Sequence, residues 1–130
     1  MRITPDTNVL IRAAINDEQG QTARSALAQA DVIALPLSAL CEFVWVMRST
    51  YKRPAKDVSA SLVALIEAGI VETNEAAARA GLDILLAGGD FADGVIAYEG
   101  RTLGGETFVT FDRKAAKLVE KSGLTTLLLK

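Results

Sequence analysis

The sequence predicts an α/β fold: a mostly parallel sheet of about five strands with helices packed on both faces. Two observations carry that expectation. Short apolar runs alternate with segments of helical period along all 130 residues, the pattern of strands joined by helical crossovers. The strand-like runs are also apolar throughout, as strands covered on both sides are. No repeat, linker or low-complexity stretch interrupts the chain, so residues 1–130 are expected to form one domain.

Residues 2–5 read as a strand bounded by Pro5, followed by a helix over about 7–15 and another over 21–30. Val32-Ile33-Ala34-Leu35 is a buried strand ended by Pro36. From 37 to 50 apolar residues fall at 37, 40, 41, 44, 45 and 47, a helical spacing, and Ala39, Phe43 and Val46 on the other side make this a largely buried helix. Residues 56–68 repeat the helical pattern and Gly69 stops it. A short strand at 70–72 precedes a helix over 75–87 capped by Asn74 and broken by Gly88-Gly89. Asp90 opens a helix reaching about Leu103, Gly104-Gly105 turns into the strand 107–111, residues 113–121 are helical, and 125–129 form the last strand.

Half of the residues are apolar, enough to bury a core, and no apolar run approaches the roughly 18–20 residues that span a bilayer. The start of the chain lacks signal-peptide architecture, so a cytoplasmic protein without membrane association is expected. The single cysteine, Cys41, excludes an intrachain disulfide and a cysteine-built zinc cage, and it falls in an apolar helical pattern as a small core residue. The net charge of −2 does not advertise nucleic acid, but the basic residues are clustered. Arg48, Lys52, Arg53 and Lys56 form one acid-free stretch, and Arg113, Lys114, Lys117 and Lys121 a second basic stretch interrupted by Glu120. Each is either a solvated helix face or a set of phosphate contacts.

Four acids stand out by position. Asp6 and Asp112 each directly follow a predicted strand, at the carboxyl edge where ligands bind in such sheets. Glu42 is the only charged residue between Val32 and Met47, and Asp93 lies in Asp90-Phe91-Ala92-Asp93-Gly94-Val95-Ile96-Ala97. Carboxylates in apolar surroundings must be paired, neutralised or bound to a cation. With no histidine anywhere, the cation implied is a hard divalent ion held by oxygen.

Each acid also has a purely structural explanation. Asp6 and Asp112 are suited to cap the helices after them. Asp90 is read as an N-cap, which puts Asp93 in a first helical turn where a carboxylate favours the helix dipole. Glu42 is expected to be buried and so to need an ion-pair partner, for which Arg48, six residues on, is poorly placed. Four separate caps and pairs on one sheet edge are a less economical explanation than one site.

The four segments together resemble the motifs of a PIN domain, and in length and layout the chain looks like a VapC-type ribonuclease toxin. Asp6-Thr7-Asn8-Val9-Leu10 is similar to the first motif, Leu40-Cys41-Glu42-Phe43 to the second, the segment around Asp93 to the third, and Thr110-Phe111-Asp112 to the fourth. The resemblance implies a three-layer α/β/α sandwich in which the first and fourth strands are neighbours. It further implies a Mg²⁺ site (Mn²⁺ substituting) built from Asp6, Glu42, Asp93 and Asp112, with Asn8 and Thr110 in support. Homodimerisation and inhibition by a small cognate antitoxin protein belong to the same implication. Gly94 stands where many relatives carry alanine, and glycine there is expected to loosen its helix by about 1 kcal/mol.

The activity implied is metal-dependent endoribonucleolytic hydrolysis of RNA, leaving a 5′-phosphate and a 3′-hydroxyl. Arg48, Lys52, Arg53, Arg113 and Lys114 are candidates to position the RNA backbone from their charge. The alternatives are a non-catalytic PIN-like interaction module and an aspartyl-phosphate phosphatase with Asp6 as nucleophile. Against the phosphatase, Asn8 stands where such enzymes carry a second aspartate. A receiver-like signalling domain would need a lysine beyond its last strand, and here that is only the terminal Lys130.

Overall fold

In the computed structural model, which describes residues 1–15 and 17–130, Ile33 is the middle rung of a parallel ladder, paired with Ile3 on one side and Val71 on the other. The ladder runs β1 (Arg2–Ile3), β2 (Val32–Ala34), β3 (Val71–Glu72), in that order. Parallel neighbours need crossovers. α1 (Thr7–Ala14) and α2 (Glu18–Ala28) make the first, and α3 (Leu37–Ser49) and α4 (Ala55–Glu67) the second. Pro36 and Pro54 stand immediately before α3 and α4, with φ of −63° and −61°, and fix the entry angle without any side-chain cap. Leu10, Ile33, Leu35, Leu40, Phe43 and Leu62 are among the most deeply buried side chains here.

The chain divides into two compact units, Met1–Asn74, which holds these elements, and Glu75–Lys130. In the second, α5 (Glu75–Leu86) and α6 (Phe91–Thr102) pack against each other. β4 (Thr107–Thr110) and β5 (Thr125–Leu128) pair in parallel in the register Val109↔Leu127, joined through α7 (Arg113–Lys121). Ile84, Ala97 and Val119 form the buried cluster of this unit, with Phe108, Leu118 and Leu124 packed against it.

Among the described residues the five strands are all parallel and alternate with helices, so the α/β class and the parallel pairing are as expected from the sequence. Two details differ. α2 begins three residues before the expected start, because Asp17 caps it by accepting from the Gly20 N–H at 2.8 Å. The strands β4 and β5 alternate half-buried and exposed residues, leaving Val109 and Leu127 about half exposed. Among the described residues, no helix is long and apolar enough to cross a membrane.

Gly94 has a packing role that its sequence does not reveal. A Cβ there would stand 2.5 Å from the Ala80 carbonyl oxygen and 2.8 Å from Gly81 Cα, so the missing side chain lets α6 approach the α5 backbone. Gly81 is its counterpart, since a Cβ there would meet the Phe91 ring at 2.7 Å. The glycine lets the helix pair approach closely, a packing role beside its cost in helix propensity.

Candidate functional site

Asp93 is the half-buried acid of the second unit. It lies in the first turn of α6, which Asp90 caps by accepting from the Ala92 N–H at 3.0 Å. Burial pushes the Asp93 carboxyl above its ordinary value of 3.8, and the neighbouring charges of Asp90 and Asp112 push it further in the same direction. The three carboxylates line one cavity of about 190 Å³ together with Gly88, Gly89, Lys114 and Ala115.

Asp112 lines the same cavity. It caps α7, its Oδ1 accepting from the Lys114 N–H at 2.9 Å and the Ala115 N–H at 3.0 Å. Its own N–H donates to the Thr110 hydroxyl at 3.0 Å, so Thr110 orients the residue at the strand end, a supporting role of the kind expected for it. Oδ2 of Asp112 accepts no hydrogen bond among the described residues. The cap therefore occupies one oxygen and leaves the other for a ligand; capping and cation binding are not exclusive.

Asp6 repeats this arrangement in the first unit. It follows β1 and caps α1, with Oδ1 accepting from the Val9 N–H at 3.2 Å and Oδ2 taking no hydrogen bond among the described residues. Asn8 lies exposed in the first turn of the same helix. Asp6 and Asp112 are both exposed, so neither pays the desolvation expected of a carboxylate in apolar surroundings.

Glu42 departs from expectation more strongly. It is exposed rather than buried. The buried stripe of α3 is Leu40, Phe43, Val44 and Met47, and Glu42 lies one turn from Trp45, which is 64 % exposed. An apolar identity at position 45 does not make its face a core face, and an exposed glutamate needs no partner. Cys41, expected in the core, is only half-buried.

Asp90 is the residue the sequence reading left out. It is the cap its sequence predicts, yet it also lines the cavity with Asp93. The available signal was the three-residue spacing of two acids within one helical turn. Of the basic candidates, Lys114 lines the cavity, and Arg113 is exposed beside it in sequence. Arg48, in the first unit, donates to the Arg53 carbonyl at 3.0 Å, and Lys52 and Arg53 are exposed in the turn after α3.

The donor set suits a hard divalent cation: carboxylate oxygens, and room for an ion with several waters at roughly 30 Å³ each. Among the described residues no group of three or more His, Cys, Asp or Glu side chains is placed to hold a metal ion. That is compatible with Mg²⁺, which binds through one or two carboxylates and keeps most of its water.

The profile of the PIN domain family matches residues 3–121, and so covers Asp6, Glu42, Asp93 and Asp112 alike. No curated protein sequence matches the chain.

Proposed function

Because the chain belongs to the PIN-domain family, whose members are typically metal-dependent nucleases, we propose that it is an endoribonuclease dependent on Mg²⁺, with Mn²⁺ able to substitute. The observation that carries the proposal is the cavity shared by Asp93 and Asp112 within a chain matched to the family over 3–121.

In this proposal residues 1–130 act as one functional domain, and Asp6 and Glu42 join Asp93 and Asp112 as ligands, directly or through water. A divalent cation bound there supplies Lewis acidity and the positive charge that a phosphodiester requires. The residues of the chain do the rest. Asp93 and Asp112 hold the charge that recruits the cation, and the main-chain N–H groups of α7 fix the Asp112 carboxylate. Thr110 holds the Asp112 backbone, and basic side chains receive the phosphates that flank the scissile bond.

The size of the chain and its four motifs in order support the narrower role of a VapC-type toxin, cytoplasmic, homodimeric and silenced by a small cognate antitoxin. Purified protein incubated with RNA tests the activity. Cleavage that appears with Mg²⁺, disappears with a chelator and is lost in Asp93→Asn is the expected outcome. Cleavage that survives in Asp93→Asn at matched metal would sink the assignment. Growth arrest on expression, relieved by the product of a neighbouring short reading frame, tests the toxin role.

That no group of three or more acids among the described residues is placed to hold a metal ion favours one second reading, a non-catalytic PIN-like module that binds RNA or protein. RNA bound with equal affinity in Mg²⁺ and in chelator, and never cut, would select it.

A further inference from the structure

We infer that Trp45 is a stacking platform for one base of a single-stranded RNA, which it holds beside Glu42; the inference rests on the ribonuclease proposal above. Ser38, Glu42, Trp45 and Ser49 recur at intervals of four, three and four residues, so they share one face of α3, and all four are exposed. The opposite face, Leu40, Phe43, Val44 and Met47, is buried. Trp45 is the one large apolar side chain on the outer face, 64 % exposed, and the only tryptophan in the chain. A tryptophan this open removes little apolar surface from water, so core packing does not account for an indole at this position.

What surrounds the indole is a separate observation. Glu42 lies three residues before Trp45 and Arg48 three residues after, so carboxylate, indole and guanidinium follow one another along a single i, i+3 row of α3. The Arg48 guanidinium donates to the Arg53 carbonyl at 3.0 Å, which ties it to the turn after the helix. In that turn Lys52 has a φ of 54°, the only non-glycine residue in the left-handed region among the described residues. From Phe43 to Lys56 the chain carries four cations and no acid. An aromatic plane among cations is complementary to a nucleotide strand: the base offers a π-face to the indole and the phosphates offer charge to the basic side chains. A protein partner seated on Trp45 would need an apolar centre to its interface, and Ser38, Glu42 and Ser49 supply no apolar neighbour on this face.

A single tryptophan makes the test direct. The full chain is titrated in Ca²⁺ with a single-stranded RNA of mixed sequence and with an abasic strand of the same length, and cleavage is measured separately in Mg²⁺. Binding is followed by the anisotropy of end-labelled strands, and Trp45 by its own emission with unlabelled ones. At equal saturation the RNA should quench Trp45 and the abasic strand should not. Trp45→Ala should weaken RNA binding about tenfold. It should leave the slope of log K against log salt unchanged, because stacking releases no counterions. Trp45→Phe should recover most of the affinity, and both variants should melt with the wild type, as expected for an exposed side chain. Emission indifferent to RNA, or wild-type affinity in Trp45→Ala, in a chain that cuts RNA normally would overturn the inference and leave the ribonuclease proposal standing. Emission that shifts to the blue with protein concentration and ignores RNA would also overturn it, assigning Trp45 to a contact between copies. A wild-type chain that neither binds nor cuts RNA would remove both.

Discussion

The Asp112 N–H donates to the Thr110 hydroxyl at 3.0 Å, and the Asp112 carboxylate in turn accepts from two N–H groups of α7. Strand end, acid and helix start are thereby fixed to one another within six residues, from Thr110 to Ala115. An acid held this way keeps its orientation without burial, and its unused oxygen stays directed by the backbone.

Replacing Thr110 by valine keeps the shape and removes the acceptor. The expected loss is about 1 kcal/mol of stability from the missing hydrogen bond. A fall in cleavage greater than the loss of folded protein should accompany it, because Asp112 loses its tether. Thr110→Ser should restore both. Denaturant unfolding and cleavage per folded molecule measure the two effects; an inactive but unaltered-stability Thr110→Ser would contradict the tether.

Asparagine caps a helix as well as aspartate does but carries no charge. Asp6→Asn and Asp112→Asn should therefore retain wild-type stability, whereas Asp6→Ala and Asp112→Ala should each lose about 1 kcal/mol. If the carboxylates also bind the cation, all four variants lose Mg²⁺-dependent cleavage, the asparagine pair without any change in melting. Full cleavage by the asparagine variants would reduce both residues to caps.

The order and type of the elements were legible because the chain keeps strand-like and helical periods separate and punctuates them with Pro36, Gly69 and Gly88-Gly89. The caps at Asp6, Asp90 and Asp112 were legible for the same reason. Burial was not. Glu42 was placed in the core from the apolar residues around it, but a helix turns its faces by period, and Trp45 shows that a large apolar side chain can sit on the outer one. The close contact at Gly94 was also hidden, because a glycine that admits a neighbouring backbone looks, in sequence, like one that merely weakens a helix.

Gly94→Ala should be destabilising despite alanine's better helix propensity. The propensity gain is roughly 1 kcal/mol. The new methyl group would have to displace the Ala80 carbonyl and the Gly81 backbone, both rigid, at a cost of about 1–3 kcal/mol or more. The net expectation is a lower midpoint in urea with an unchanged slope, since unfolding exposes the same surface in the variant as in the wild type. A stabilised Gly94→Ala would show that α5 and α6 are not held as closely as this packing requires.

Asp93 links the site to pH. Its carboxyl titrates above 3.8, chiefly through burial and then through Asp90 and Asp112. The folded chain thus holds this proton more tightly than the unfolded chain does. Its contribution to stability is fully present below the unfolded value and is lost as pH rises through the folded one. At neutral pH the ionised group burdens the metal-free fold, so Asp93→Asn should melt at the same temperature or higher. It should at the same time lose at least about 100-fold in Mg²⁺-dependent cleavage, beyond the range seen when only an outer-shell partner is removed. Metal binding requires the ionised carboxylate, so Mg²⁺ affinity should decline as pH falls through the raised pKa. Asp90→Asn keeps the cap and removes one repelling charge, which should bring the Asp93 pKa part of the way down and carry the acid limb of metal binding with it. Titration of the Asp93 carboxyl carbon by NMR, with and without Mg²⁺, measures this directly; an Asp93 pKa indifferent to both Asp90→Asn and Mg²⁺ would separate it from the other acids of the cavity.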